Sequence, residues 1–348
     1  VTRTSSQFPQ KPQDRLQSIL QFQREQLRVL LHYVWQNSVF YREFYRSHGI
    51  KKEDLDSVTL AHLPFLSKRY LMEHFDQAVT DSRLRKNLLE TWIQNNFDPR
   101  NAFHSDFLVV HSSGSSGETG IFVYDRVAWQ IMASRIAQRL PPPDSFPQKT
   151  RVAFHISSHA NFTGMTTALE LSAAMYEVLI VSSLDPPEIV VPQLNRFQPE
   201  RLIGYSSSVS NLAEWAAAGD LMIHPRTVLL SGDPLTPAIL RSIQDAWAPQ
   251  VHEMYMASES IYLGIKKATE DSFLAMDDLN ILEILDRNNA PVTAGSRGRV
   301  VLTNLYNHAL PIIRYELRDY VVCGERDPES QFRTIREITG RMDDLLPV

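Results

Sequence analysis

The sequence predicts an α/β fold with substantial parallel sheet. Short apolar runs of strand length alternate with amphipathic segments of helix length from Arg151 to Met256, which is the pattern of strands joined by helical crossovers. Ahead of them, two apolar runs flank a loop built from serine and glycine. After them, apolar runs follow one another around turns, which reads as a smaller antiparallel sheet or distorted barrel.

The chain opens with a helical pattern. From Asp14 to about His48, residues such as Ile19, Leu27, Leu30, Leu31 and Val34 share one repeating face. Gly49 marks a turn, Pro64 closes the next segment, and Ser67 is placed to cap another helix. Asp81 to Asp106 reads as helix and then a polar loop with Pro99. The runs Phe107–Val110 and Ile121–Tyr124 are strands, and Asp125 caps a helix from Arg126 to Leu140 that Pro141 ends. Strands at Arg151–Ile156, Glu177–Val181, the run up to Ile203, Thr227–Leu230 and Val251–Met256 then alternate with helices at Met165–Met175, Asn211–Ala218 and Pro237–Trp247. Leu279–Leu285 and Gly298–Thr303 are strands around the turn Asp286–Gly295.

Composition narrows the function classes. The 348 residues are 43% hydrophobic and 22% charged, a globular balance. A net charge of −5 gives no general attraction for nucleic acid or an anionic membrane, and no apolar run reaches membrane-spanning length. The single cysteine, Cys323, excludes an internal disulfide and a multi-cysteine zinc site, and fits a reducing cytoplasm. The polar start, Val1 to Pro12, is no signal peptide.

The loop Ser112, Ser113, Gly114, Ser115, Ser116, Gly117 carries the first chemistry. Glycines let backbone N–H groups converge and serine hydroxyls add donors, an arrangement suited to phosphate. It is not a Walker A loop, because Glu118 stands where a cation is expected. Alone, such a loop is more often a solvated hairpin turn. His155 and His159 lack a third metal ligand at suitable spacing and read as satisfied polar residues.

Further motifs follow in order: Ser231-Gly-Asp-Pro-Leu235, Tyr255-Met-Ala-Ser-Glu259, the run from Leu310 to Asp319, and Ile338 to Asp344. With the serine loop, they resemble the acyl-adenylate-forming (ANL) superfamily, in its phenylacetate–CoA ligase-like branch. That branch includes deazaflavin-adenylylating synthetases and capsule-associated adenylate-forming proteins. Asn37–Arg42 and Leu63–Lys68 look like its N-terminal segment, so the resemblance spans nearly the whole chain.

The resemblance implies the large N-terminal adenylation domain over residues 1–340. Within it, 1–106 is a helical part, 107–278 the α/β core and 279–340 the smaller β part. Residues 341–348, with Asp343, resemble the hinge to a mobile C-terminal domain. That domain's catalytic lysine has no counterpart here, and the expectation is a chain cut at the hinge. The implied activity is ATP- and Mg²⁺-dependent conversion of a carboxylic acid, aromatic for preference, to an acyl-adenylate, with CoA or a carrier protein's phosphopantetheine as acceptor. Alternatives are an adenylyltransferase that leaves AMP on its product and a degenerate nucleotide-binding or scaffolding domain.

Site roles follow from the same resemblance. The serine loop holds the β- and γ-phosphates, Glu259 is the magnesium ligand, and Ser258 beside it contacts a phosphate. Gly232, Asp233, Pro234 and Tyr255 flank the adenine, Asp319 accepts the ribose hydroxyls, and Arg341 reaches ribose or α-phosphate. The acid pocket takes His155, His159, Asn161, Phe162, Tyr205, Ser231 and Met254. The chain departs from the pattern at Glu118, at Met256 in place of a usual glycine, and at Arg318 in place of the glycine before Asp319.

Overall fold

The computed structural model describes residues 12–96, 102–112, 119–142, 148–157 and 163–341, the side chain of Arg341 excepted. Helices α1 (Pro12–Asn37) and α2 (Val39–Ser47) replace the single predicted helix. The break falls at buried Ser38, which has extended backbone and accepts the Tyr41 N–H on its Oγ while donating to the Gln77 carbonyl. A serine offers the backbone this alternative to another helical turn. Ser67 caps α3 (Lys68–Glu73) as predicted, by accepting the Tyr70 N–H. The short α4 (Phe75–Ala78) and α5 (Lys86–Asn95) complete the helical part.

Strands β1 (Phe107–His111) and β2 (Ile121–Asp125) form a separate two-stranded antiparallel sheet, with His111 opposite Ile121. The base of their hairpin is sealed where the Ser112 N–H donates to the Gly120 carbonyl at 2.9 Å. Asp125 then caps α6 (Arg126–Ala137), accepting the Ala128 N–H at 2.8 Å.

The remaining strands form one eleven-stranded sheet. Strands β3 (Thr150–Ile156), β4 (Tyr176–Ser182), β5 (Arg201–Gly204), β6 (Thr227–Ser231) and β7 (Gln250–Ala257) are parallel, in spatial order β4, β3, β5, β6, β7. They alternate with α7 (Thr163–Leu169), α8 (Pro187–Phe197), α9 (Ser206–Ala217) and α10 (Pro237–Trp247). Helix α7 is shorter than the predicted Met165–Met175 helix, and α8 is absent from the sequence reading. Pro187 sits in the first turn, where its missing N–H costs nothing, and fully buried Val190 and Leu194 anchor one face.

Beyond β7 the sheet continues antiparallel. Strands β8 (Ile261–Lys267), β9 (Phe273–Ala275), β10 (Asn280–Leu285), β11 (Arg297–Asn304), β12 (Tyr315–Cys323) and β13 (Thr334–Arg341) lie in spatial order β8, β9, β13, β12, β11, β10. The expected smaller β part is therefore antiparallel and hydrogen-bonded into the same ladder as the α/β core. The largest apolar cluster joins α1, α2, the β1–β2 hairpin and this antiparallel half, and a second lies between the parallel strands and α8 to α10. Among the described residues no helix is long and apolar enough to cross a membrane.

Candidate active site

A cavity of about 640 Å³ runs along one face of the parallel half. Side chains alternate across a strand, so every second residue faces it. Val152, Phe154 and Ile156 of β3 line it, with Arg201 and Ile203 of β5 beside them. Trp129 and Ile136 of α6 and Thr163 and Thr167 of α7 form the opposite wall. Tyr205 and Ser231 follow β5 and end β6, which places them toward the carboxyl ends of the strands, where α/β sheets bind ligands.

At that end the cavity meets two irregular segments that carry carboxylates. Glu259 lies in the tight turn between β7 and β8. The turn is pinned from several sides. The Tyr124 hydroxyl donates to the Ser258 carbonyl at 2.5 Å, and the Asn304 side-chain amide donates to Ser260 Oγ at 2.8 Å. Ser258 Oγ shares a hydrogen bond with Thr163 Oγ1 at 3.1 Å. Ile261, which leaves the turn, is held at φ +52°, a left-handed conformation that a β-branched residue adopts only at a cost of about 1–2 kcal/mol.

Asp319 lies on β12 beside a register shift and opposite Arg341 of β13. The preceding residue, Arg318, has φ +68°. A glycine suits that backbone without penalty, which accounts physically for the residue type the pattern prefers there. Arg318 is exposed and its side chain faces the cavity.

The two carboxylates are held by a reciprocal brace. Tyr255 of β7 donates its hydroxyl to Asp319 Oδ2 at 2.6 Å, while Tyr315 of β12 donates to Glu259 Oε1 at 3.0 Å. Each strand thus fixes the acid that the other segment carries, although β7 and β12 are not neighbours in the sheet. Burial raises the Glu259 pKa; hydrogen bonds, with Tyr315 among the donors, and the charge of Lys68 oppose that shift in part.

Lys68 is a cation the motif reading did not select. It opens α3 and donates from Nζ to Ser112 Oγ at 3.0 Å, and Ser112 Oγ also accepts the Gly120 N–H at 2.9 Å. A side chain at Gly120 would collide with Lys68 Cε, at 2.9 Å, and with the Phe122 ring. The last glycine of the loop region therefore lets the lysine stem pass. A Ser-Lys pair at a helix start was the available signal, but nothing in the sequence brings it to a loop more than a domain segment away.

The structure places several of the expected site residues away from the cavity wall. His155 does not line the cavity: Phe154 and Ile156 do, so strand alternation turns the histidine to the other face, where burial lowers its pKa. Asp233 is engaged in holding α9, accepting the Ser206 N–H at 2.5 Å and the Ser207 N–H at 2.9 Å, and neither it nor Pro234 lines the cavity. Tyr255 stands behind Asp319 rather than in the cavity wall, and Met256 faces the space instead. Gly232 does line it, at φ +90°, and a Cβ there would strike the Tyr205 ring at 2.8 Å. Ser112, Tyr205, Ser231, Met254, Ser258, Glu259 and Asp319 are brought together as expected. Ser113 to Gly117, His159, Asn161, Phe162 and Asp343 lie outside the described residues.

Magnesium fits this donor set. It takes one or two carboxylates and completes its shell with phosphate oxygens and water. Glu259 and Asp319 are carboxylates of that kind in the cavity wall.

No model of a known protein family matches the chain. It is 25% identical to a phenylacetate–coenzyme A ligase of Pseudomonas putida, over 94% of this chain and 72% of that protein. It is 24% identical to the phenylacetate–coenzyme A ligase of Escherichia coli (strain K12), over 96% of this chain and 72% of that protein. Its fold is shared with a 2-hydroxyisobutyryl-CoA ligase solved in an open conformation with 2-HIB-AMP and CoA. There the TM-score is 0.72 at 20% identity, covering 93% of this chain and 75% of that one.

Proposed function

Since the chain belongs to the acyl-adenylate-forming superfamily, in its phenylacetate–CoA ligase-like branch, we propose that it activates a carboxylic acid with ATP and passes the acyl group to a thiol of CoA. An acid oxygen attacks the α-phosphorus of ATP, the bond to pyrophosphate breaks, and an acyl-adenylate forms. The thiol sulfur then attacks the acyl carbon and AMP leaves.

One observation carries this reading. Two braced carboxylates, Glu259 and Asp319, face the same end of one cavity as the Lys68–Ser112 pair. Adenylation brings together two anions, so the site must neutralise charge and orient the nucleotide before reaction. Asp319 supplies acceptors for the ribose hydroxyls, and Lys68 and Ser112 supply a cation and a hydroxyl for the phosphates. A magnesium ion at Glu259 supplies neutralisation of phosphate oxygens when bound. Asp233 acts indirectly, by fixing the start of α9 and so the Tyr205–Gly232 contact.

Trp129, Phe154, Tyr176, Tyr205 and Tyr262 all line the cavity, which supports an acid with an aromatic body. Acid-dependent exchange of labelled pyrophosphate into ATP, run over a panel of aryl and alkyl acids, is the direct test. Exchange is expected for aryl acids and requires magnesium. Nucleotide binding with no exchange for any acid would overturn the reading.

A further inference from the structure

The far end of the cavity holds a charge that adenylation does not use. Arg201, at the start of β5, is 3% exposed and lines the cavity on the same strand face as Ile203 and Tyr205. Its guanidinium donates from Nη2 to the carbonyls of Pro141 and Pro142, the latter at 2.6 Å, while its Nε has no hydrogen-bond partner. Among the described residues it makes no ion pair. Glu200, next to it in the chain, pairs with Arg151, and Glu170 of the cavity wall pairs with Arg126.

Among the described residues this buried guanidinium is answered by neutral carbonyls alone, an unusual choice for the wall of a largely apolar pocket. Carbonyl dipoles satisfy donors but leave the charge uncompensated, and removing a charge from water is costly unless an anion meets it. Val152, the neighbour of Arg201 on β3, is apolar, and the one acid among the described residues of the cavity wall outside the nucleotide end, Glu170, is held by Arg126. Planar guanidinium groups also favour carboxylates over other acceptors, because a fork of N–H donors matches both oxygens.

The geometry also sets a length. Tyr205 and Arg201 are four residues apart along one strand, so the two ends of the cavity lie roughly 13 Å apart at about 3.3 Å per residue. A compact acid held at the nucleotide end stops short of Arg201. From the uncompensated guanidinium and this depth we infer that the preferred acid is elongated, with an apolar body and a second carboxylate at its far end. This deepens the acid-activation reading and rests on it.

Matched acids that differ only at the far end test the inference. The pairs are 4-ethylphenylacetate against 1,4-phenylenediacetate, and decanoate against decanedioate. Affinities are measured by calorimetry on the whole chain saturated with a non-hydrolysable ATP analogue. The diacid of at least one pair is expected to bind ~10- to 100-fold more tightly than its partner, the range for a charge-assisted hydrogen bond. In Arg201→Met that preference should vanish while the affinity for the nucleotide analogue is unchanged. Arg201→Lys, which keeps the charge and spares the fold if the Met variant is unstable, should retain a preference for the diacid. Equal or weaker binding of both diacids by the unaltered protein overturns the inference but leaves acid activation standing. Nucleotide binding with no acid binding at all overturns both.

Discussion

Replacing Tyr255 by Phe removes the hydroxyl that braces Asp319. The lost bond is a 2.6 Å donation to a carboxylate, between residues 5% and 6% exposed. Hydrogen bonds to charged groups contribute about 1.5–3 kcal/mol when buried, so stability should fall by that amount. At about 2.1 cal/mol/K of unfolding entropy per residue, the 348 residues give ~0.7 kcal/mol/K, and Tm should drop ~2–4 °C. Nucleotide affinity should also weaken, by about 10-fold, because Asp319 loses the contact that aims it. Calorimetry with AMP and a thermal melt measure the two effects. A double-mutant cycle gives the sharper result: in an Asp319→Asn background, Tyr255→Phe should cost little in AMP affinity, since the charge it served is gone. Additive losses, or an unchanged affinity in the single variant, would refute the idea that Tyr255 positions Asp319.

Glu259→Gln should separate stability from activity. Burial lifts the Glu259 pKa in the folded protein above its unfolded value of 4.5, so the folded state holds the proton more firmly. Stability from this group is therefore greatest below the unfolded pKa and is lost as pH rises through the folded pKa. The neutral variant should melt higher than the unaltered protein at neutral pH, while adenylation falls by about 100-fold. A lower neutral-pH melt would contradict the sign. Lys68→Met should weaken ATP binding by about 10- to 100-fold, with the loss shrinking as salt rises and acid affinity unchanged; equal ATP affinity would confine Lys68 to bracing the hairpin.

Much of the fold is legible in the sequence where local signals and burial agree. Asp125 and Ser67 cap helices at the predicted places, and the Pro237–Trp247 helix is bounded as read. Failures cluster where tertiary contacts decide. The start of α2 depends on Ser38 reaching Gln77, and α8 forms around an interior proline, Pro192, with Val190 and Leu194 fully buried on one face. Of the candidate site, motif order pointed to Glu259 and Asp319, which line one cavity. It was blind to Lys68, whose partner is 44 residues away, and to the side on which His155 and Tyr255 point. Spacing names residue types, but the register of a strand decides which face they serve.

The N-terminal helices and the start of β12 are tied together across some of the longest sequence separations in the fold. Tyr41 donates to the Pro311 carbonyl at a separation of 270 residues, and Leu66 pairs with the backbone of Arg314 and Glu316. During synthesis at about 5–20 residues per second, the helices wait ~15–50 s for those partners. Over that interval the faces of α1 and α2 that will form the largest core are uncovered. The parallel half can condense first, since its strands are local to one another, but the end bearing Glu259 and Asp319 cannot. Tyr315 and Asp319 emerge after every strand of the parallel half, and they close loops whose entropy has to be overcome before either contact returns any stability. A nascent chain therefore lacks the braced pair of carboxylates until β12 docks, and gains both braces in that one step.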